Sequence, residues 1–258
     1  MFATPLFMTR NRVLRRWCFS LLRRYAKLTK PRFVVERRMG ALMLLDQRDK
    51  VDLHLLCGGF WEADRIEYLH KLILAARQGR RTVFLDIGAH GALYSLVLDK
   101  RLNFDRIVVF EPEPIALAQI GANVMMNGLG ERTEIVAKAV SSSSGVARFI
   151  VAHDSNRGQS RMAGSQEPAA PDALVVEVMS IDEMLRETDT LLVAKIDVEG
   201  HENEVLLGMR EATRKNDLIL QVEKNGDDLS RLERLLNGFG MKRIHSIGQD
   251  HYFVKAGE

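Results

Sequence analysis

The chain has 258 residues, 46% hydrophobic and 28% charged, with 19 Gly, 6 Pro and a formal net charge of +3. That composition suits one large folded domain, or one domain with an appendage, and excludes collagen-like, low-complexity and wholly disordered chains. Two cysteines, Cys18 and Cys57, with no Cys-x-x-Cys pair, exclude a disulfide scaffold and argue against structural zinc; a reducing, cytoplasmic setting is expected, and no run of ~18 apolar residues offers a membrane-crossing helix.

Charge is unevenly spread. Residues 1–40 carry eleven Lys/Arg and a single acid, Glu36, so the rest of the chain is net acidic. Within this segment Leu14, Trp17, Leu21, Tyr25 and Leu28 recur at spacings of three or four and share one helical face, with arginines filling much of the remainder. Three readings stand. The helix packs on the body; or residues 10–32 lie on an anionic membrane surface, making a peripheral contact; or the segment is a targeting or nucleic-acid-binding arm. No RNA- or DNA-binding motif accompanies it, so no nucleic-acid partner is expected.

Pro31 ends this helix. Short apolar stretches over 33–57, broken by Gly40 and by a polar run at 46–50, predict a small β-hairpin. Gly58-Gly59-Phe60-Trp61-Glu62 reads as a turn, and 65–77 as a helix. From residue 81 the pattern turns regular. Strands are predicted at 82–85, 106–110, 133–139, 191–196 and 217–222. Helices are predicted at 92–99, at 114–126 with Pro114 in the first turn, at 202–210, and at 229–237 with Gly238 as terminator. Strand-like runs at 146–151 and 173–178 flank a polar stretch, 153–172. Ser180 and Glu183 form a capping box for a short helix over 181–186. Residues 242–246 and 251–254 read as a closing antiparallel pair. Alternating buried strands and helices predict an α/β fold, a mostly parallel sheet with an antiparallel edge and helices on both faces. The expected organisation is a basic segment (1–32), a hairpin and helix packing on the core (33–80), and a ligand-binding domain (81–258).

The first strand-to-helix turn is Phe84-Leu85-Asp86-Ile87-Gly88-Ala89-His90-Gly91-Ala92. An open α/β sheet binds its ligand there, and small residues let a ligand approach the backbone. A dinucleotide and S-adenosylmethionine both fit a glycine turn. The acid separates them, because a pyrophosphate disfavours a carboxylate beside the turn, whereas Asp86 can pair with the amine of S-adenosylmethionine. Glu111, followed by Pro112, ends the next strand and can accept both ribose hydroxyls. Asp86, Gly88, Ala89, His90, Glu111 and Pro112 are therefore the expected cofactor positions.

A second cluster, Lys195-Ile196-Asp197-Val198-Glu199-Gly200-His201-Glu202, follows a buried strand at the same sheet edge. Methyl transfer to a hydroxyl needs alignment and a proton acceptor. His201 titrates nearest neutrality and is the first candidate base. It could equally cap the next helix or pair with Glu202. Asp197 and Glu199 can orient substrate hydroxyls, with Glu223 facing the same cleft. A divalent cation on Asp197, Glu199 and Glu223 is the weaker reading, and no metal is expected.

Taken together these motifs resemble the FkbM-type family of S-adenosylmethionine-dependent methyltransferases. The resemblance runs over about residues 40–255, and rests also on Gly59-Phe60-Trp61-Glu62, Asn123, Asn127-Gly128, Ala139-Val140-Ser141 and Asn156-Arg157-Gly158-Gln159-Ser160. It implies a Rossmann-like class I methyltransferase fold and methylation of a hydroxyl on a sugar, glycan or natural-product small molecule. Asp86, Gly88 and Glu111 match the family's cofactor positions, and Asp197, Glu199 and His201 its second motif. This chain departs from the family at His90, where Asn is usual, and at Ala92, where Gly is usual. The other readings are a catalytically silent cofactor-binding module held at membranes by its basic helix, and a nucleotide-dependent oxidoreductase.

Overall fold

The structure, a computed structural model, describes residues 32–153, 156–164, 167, 173–224 and 229–255. The basic helix expected before residue 32 lies outside the described residues. A hairpin opens the described chain, β1 (Phe33–Arg38) and β2 (Ala41–Asp46). Two helices follow, α1 (Lys50–Leu56) and α2 (Ala63–Arg77). The repeating units come next: β3 (Thr82–Ile87), α3 (Leu93–Leu102), β4 (Arg106–Phe110), α4 (Pro114–Met126) and β5 (Thr133–Val136). After an excursion through β6 (Ala139–Val140), β7 (Gly145–Ile150), β8 (Arg161–Met162) and β9 (Leu174–Met179), the chain returns. It then forms α5 (Ile181–Met184), β10 (Leu191–Ile196), α6 (Glu202–Leu207), α7 (Arg210–Lys215), β11 (Asp217–Glu223), α8 (Leu229–Gly238), β12 (Met241–Ile247) and β13 (Asp250–Lys255).

Seven strands make the central sheet in the order β12-β13-β11-β10-β3-β4-β5. From β11 to β5 every pairing is parallel. The closing pair refines the expected antiparallel edge: β13 runs against both neighbours but lies one strand in, and β12 outside it resumes the parallel direction. Alternation along β3 divides the core. Phe84 joins one cluster with Met43, Leu45, Ile73 and Tyr94, while Val83, Leu85 and Ile87 join another with Ile181, Val205 and Leu232. The hairpin therefore shares a core with the sheet. Asn127 clasps both backbone groups of Leu42, at 3.0 and 2.7 Å, and Asn123 accepts from Leu44 N at 2.6 Å.

Three local expectations change. Residues 50–56, expected within the hairpin, are a helix, because Asp49 accepts from the Val51 and Asp52 amides and caps it. The strand predicted over 133–139 breaks after Val136, and Ala139–Val140 crosses to a second sheet of order β6-β9-β7-β8. The helix predicted over 202–210 ends at Leu207, where Gly208 packs so closely on Ser141 that a Cβ would lie 2.1 Å from its carbonyl oxygen. No helix among the described residues is long and apolar enough to cross a membrane.

Candidate active site

Strand order reverses between β3 and β10, so the crevice at their carboxyl ends is where such a sheet takes its ligand. Gly88 holds φ +76° there, and its amide donates to Phe110 O at 3.0 Å. A Cβ on Gly88 would stand 1.8 Å from Asp197 O, so only glycine lets the turn after β3 pass the backbone after β10. His90 and Ala92 are also left-handed, at φ +50° and +60°. That conformation costs an L-residue roughly 1–2 kcal/mol. Ala92 is buried in the core and lines neither cavity described below, so its methyl leaves the site open although the family usually has Gly there.

Glu111 is oriented by the backbone: Oε2 accepts from His90 N and Oε1 from Glu113 N, each at 3.0 Å. Each oxygen keeps acceptor capacity. Burial raises this carboxyl to about 7. It edges a cavity of ≈ 570 Å³ with its open mouth, whose walls include Phe110, Pro112, Val140 and Phe149 beside the charged Glu113, Lys138 and Arg157. An oriented acid beside Phe110 and Phe149 is an arrangement that could receive a nucleoside.

A second cavity, ≈ 1090 Å³ with its open mouth, adjoins the first. Gly88, His90, Gly158 and Asp197 line both. Ala89 lines only the larger one, as do Trp61, Glu62, Lys195, Glu199 and Glu223. Lys195 is the buried lysine of this region, which Lys50 and His90 also line. Its Nζ lies 2.9 Å from Asp197 Oδ2 and 5.2 Å from the Tyr94 ring centroid. Burial opposes its charge, but Asp197, Asp86 and Glu62 together hold the ammonium protonated. Tyr94 in turn donates to Glu62 at 2.9 Å, and Gln221 bridges Tyr94 and Asp250. The carboxylates outnumber this cation. Burial and the Asp197 charge raise Glu199 to about 7, and burial with Asp197 and Asp250 raises Glu223 to about 8. Glu199 is itself left-handed, at φ +53°.

Asp86 lines neither cavity. It is buried beside Lys195 on the sheet, and its Oδ2 accepts from Ser95 N at 3.2 Å and Ser95 Oγ at 2.6 Å. Its Oδ1 has no hydrogen-bond partner among the described residues. His201 also lies outside both linings, with Nε2 3.0 Å from Ser141 Oγ; burial lowers its pKa. Glu202 pairs with Lys224 at 2.8 Å.

Sequence reasoning passed over Asp46, Asp49, Asp52, Glu113 and Gln119, and quoted Arg157 and His90 without their partners. Arg157 buries its guanidinium against Glu113 (3.3 Å), Gln119 (3.2 Å) and Asp46 (3.5 Å). Asp49 meets His90 Nε2 at 3.2 Å. Burial opposes the charge on His90, yet that bond and the carboxylates of Asp49, Asp52 and Glu111 raise it to about 9. Asp49, Asp52 and His90 stand close enough to share a cation, but hydrogen bonds already engage them: Asp49 caps α1 and accepts from Arg157 N, and Asp52 accepts from Asp46 N and Gln119. The one available signal was Asp49, placed as an N-cap.

The family model of the methyltransferase FkbM domain matches residues 86–242, well over half of the chain. The chain belongs to the FkbM methyltransferase family. That family uses S-adenosylmethionine as methyl donor. Among solved structures, an S-adenosylmethionine-dependent methyltransferase from Agrobacterium tumefaciens is 8% identical with a TM-score of 0.50, over 88% of this chain and 71% of its own. A methyltransferase FkbM from Methylobacillus flagellatus is 18% identical with a TM-score of 0.48, over 80% of this chain. The match takes in only 52% of that protein, so this FkbM chain spans about half its length. M. jannaschii TYW2, solved with AdoMet, is 11% identical with a TM-score of 0.41, over 88% of this chain and 85% of its own. At such identities the likeness speaks for the fold alone. No curated protein matches the chain.

Proposed function

We propose that this FkbM-family chain is an S-adenosylmethionine-dependent O-methyltransferase acting on a hydroxyl of a sugar, glycan or natural-product small molecule. The observation that carries the reading is the junction of two cavities at Gly88, His90, Gly158 and Asp197, the smaller edged by the oriented Glu111 with Phe110 and Phe149 in its wall, the wider lined by Lys195, Glu199 and Glu223. Glu111 would hold the ribose and the turn at 88–90 the rest of the cofactor. S-adenosylmethionine, when bound, supplies an electrophilic methyl group on a sulfonium. Asp197, fixed by Lys195, stands at the junction to accept a hydrogen bond from the substrate hydroxyl. Glu199, raised to about 7, suits the task of taking the proton at neutral pH. Trp61 gives the wide cavity an aromatic wall against which a sugar can lie. The proposal keeps the cytoplasm as compartment and residues 10–32 as a peripheral membrane contact, both resting on composition and charge pattern.

Calorimetric titration with S-adenosylhomocysteine tests the cofactor half, and transfer of labelled methyl into small molecules and glycans of a cell extract tests the rest. Micromolar binding is expected. Glu111→Gln would turn an amide toward one of two backbone N–H donors and weaken a charged hydrogen bond to the diol, a loss of about 2–3 kcal/mol or roughly 30–150-fold in Kd. Tight NADH binding with none to S-adenosylhomocysteine would overturn the reading.

A further inference from the structure

Two glycines line both cavities, and they differ in why they are glycine. Gly88 has a left-handed φ and a neighbouring backbone in the way of any Cβ. Gly158 has neither constraint: its φ lies outside the left-handed region, and a Cβ built on it meets no atom of the described residues within 4 Å. Among the described residues, packing and backbone conformation therefore leave room for a side chain at 158, a half-buried residue that lines both cavities.

The segment that carries Gly158 is also firmly held. It is one turn of 3-10 helix, Arg157–Gln159. Arg157 is buried, with its amide on Asp49 Oδ2 at 3.1 Å and its guanidinium on Glu113 and Gln119. Ser160 Oγ donates to Arg157 O at 2.7 Å and accepts from Ala152 N at 3.0 Å. A side chain added at 158 would not be relieved by the turn swinging aside.

We infer that Gly158 is the size-selecting residue of this site: the volume beside its Cα is left for the ligand where cofactor and substrate meet. The inference rests on the methyltransferase reading. A methyl there narrows the passage, and an isopropyl group fills it, because overpacking a space that a ligand must occupy is paid in affinity.

The test compares wild type, Gly158→Ala, Gly158→Val and Gly130→Val by thermal melting and by titration with S-adenosylhomocysteine. Gly130 is equally open to a Cβ but lines neither cavity. Melting points within about 2 °C of wild type are expected. Affinity should fall about threefold for Gly158→Ala and tenfold or more for Gly158→Val, with Gly130→Val unchanged. A folded Gly158→Val that binds within twofold of wild type overturns the inference while leaving the cofactor reading intact. Should the valine variant not fold, the alanine variant decides by the same measure, unchanged affinity overturning the inference. A wild type that binds no S-adenosylhomocysteine overturns both.

Discussion

The turns that follow β3 and β10 lie against each other, yet they hold their acids in opposite ways. Beside the first, Asp86 and Glu111 are buried and fixed by donors, Ser95 for one and two backbone amides for the other. Beside the second, Asp197, Glu199 and Glu223 line a cleft whose buried cation is Lys195. An acid held by fixed dipoles is preorganised to receive a ligand group without moving. Burial raises Glu111 and Glu199 alike, but on Glu199 and Glu223 the charge of Asp197 adds to the burial. Under the proposed reaction the first turn binds the cofactor and its neighbour exchanges the proton.

Removing the exchanging acid is the strongest way to break this contrast. Glu199→Gln keeps the shape and deletes the base, so kcat should fall about 10²–10⁴-fold. In wild type, kcat should rise with pH through about 7 as Glu199 ionises, and that limb should vanish in the variant. Stability should move the other way. A carboxyl whose folded pKa is raised above its unfolded value stabilises the fold fully only below the unfolded pKa, and this is lost as pH climbs through the folded one. The wild-type melting point should therefore decline between about pH 4.5 and 7 and beyond, and Glu199→Gln should decline less. A variant with wild-type turnover and the same pH profile would remove Glu199 from the chemistry.

Asp86→Ala attacks the binding turn at its root and is expected to cost about 3 kcal/mol, because it strips a counter-charge from buried Lys195 and a partner from Ser95 N. For a chain of this size that is roughly 6–12 °C in melting point. Thermal melting beside a titration with S-adenosylhomocysteine separates two roles. Loss of affinity with an unchanged melting point would mean that Asp86 meets the cofactor directly, the role its place in the motif suggests; a large fall in melting point makes it the anchor of the α3 start.

Much of the fold was legible because its signals are local. Val83, Phe84 and Leu85, Ile107 to Phe110, and Leu191 to Ala194 are continuous apolar runs, and such runs become strands buried on both faces. The Ser180–Glu183 capping box forms as read. Glu111 and Asp197 were legible as cavity residues because strand ends in an open α/β sheet fix where their side chains emerge. What escaped was set by partners far apart in sequence. Nothing near residue 157 says that its guanidinium is buried on Glu113 and Gln119, and Lys195 reads as one charge in a motif until Asp86 and Gln221 stand beside it in register. The order of β12 and β13 is equally invisible locally, since a hairpin pairs with itself whichever of its strands meets the sheet.

The smallest expected effect belongs to the residue that sequence favoured most as base. His201 lies on the proton-exchanging turn by sequence but not by contact, its Nε2 3.0 Å from Ser141 Oγ and its ring outside both cavities. His201→Gln can keep a hydrogen bond to Ser141, so turnover should stay within about threefold and stability within about 1 kcal/mol, the worth of one such bond. Steady-state kinetics on the two variants set the ranking directly. If His201→Gln loses as much kcat as Glu199→Gln, the imidazole must swing from Ser141 into the cleft during the reaction. The turn after β10 would then carry two proton acceptors acting as one unit, and the double variant would be no slower than either single one.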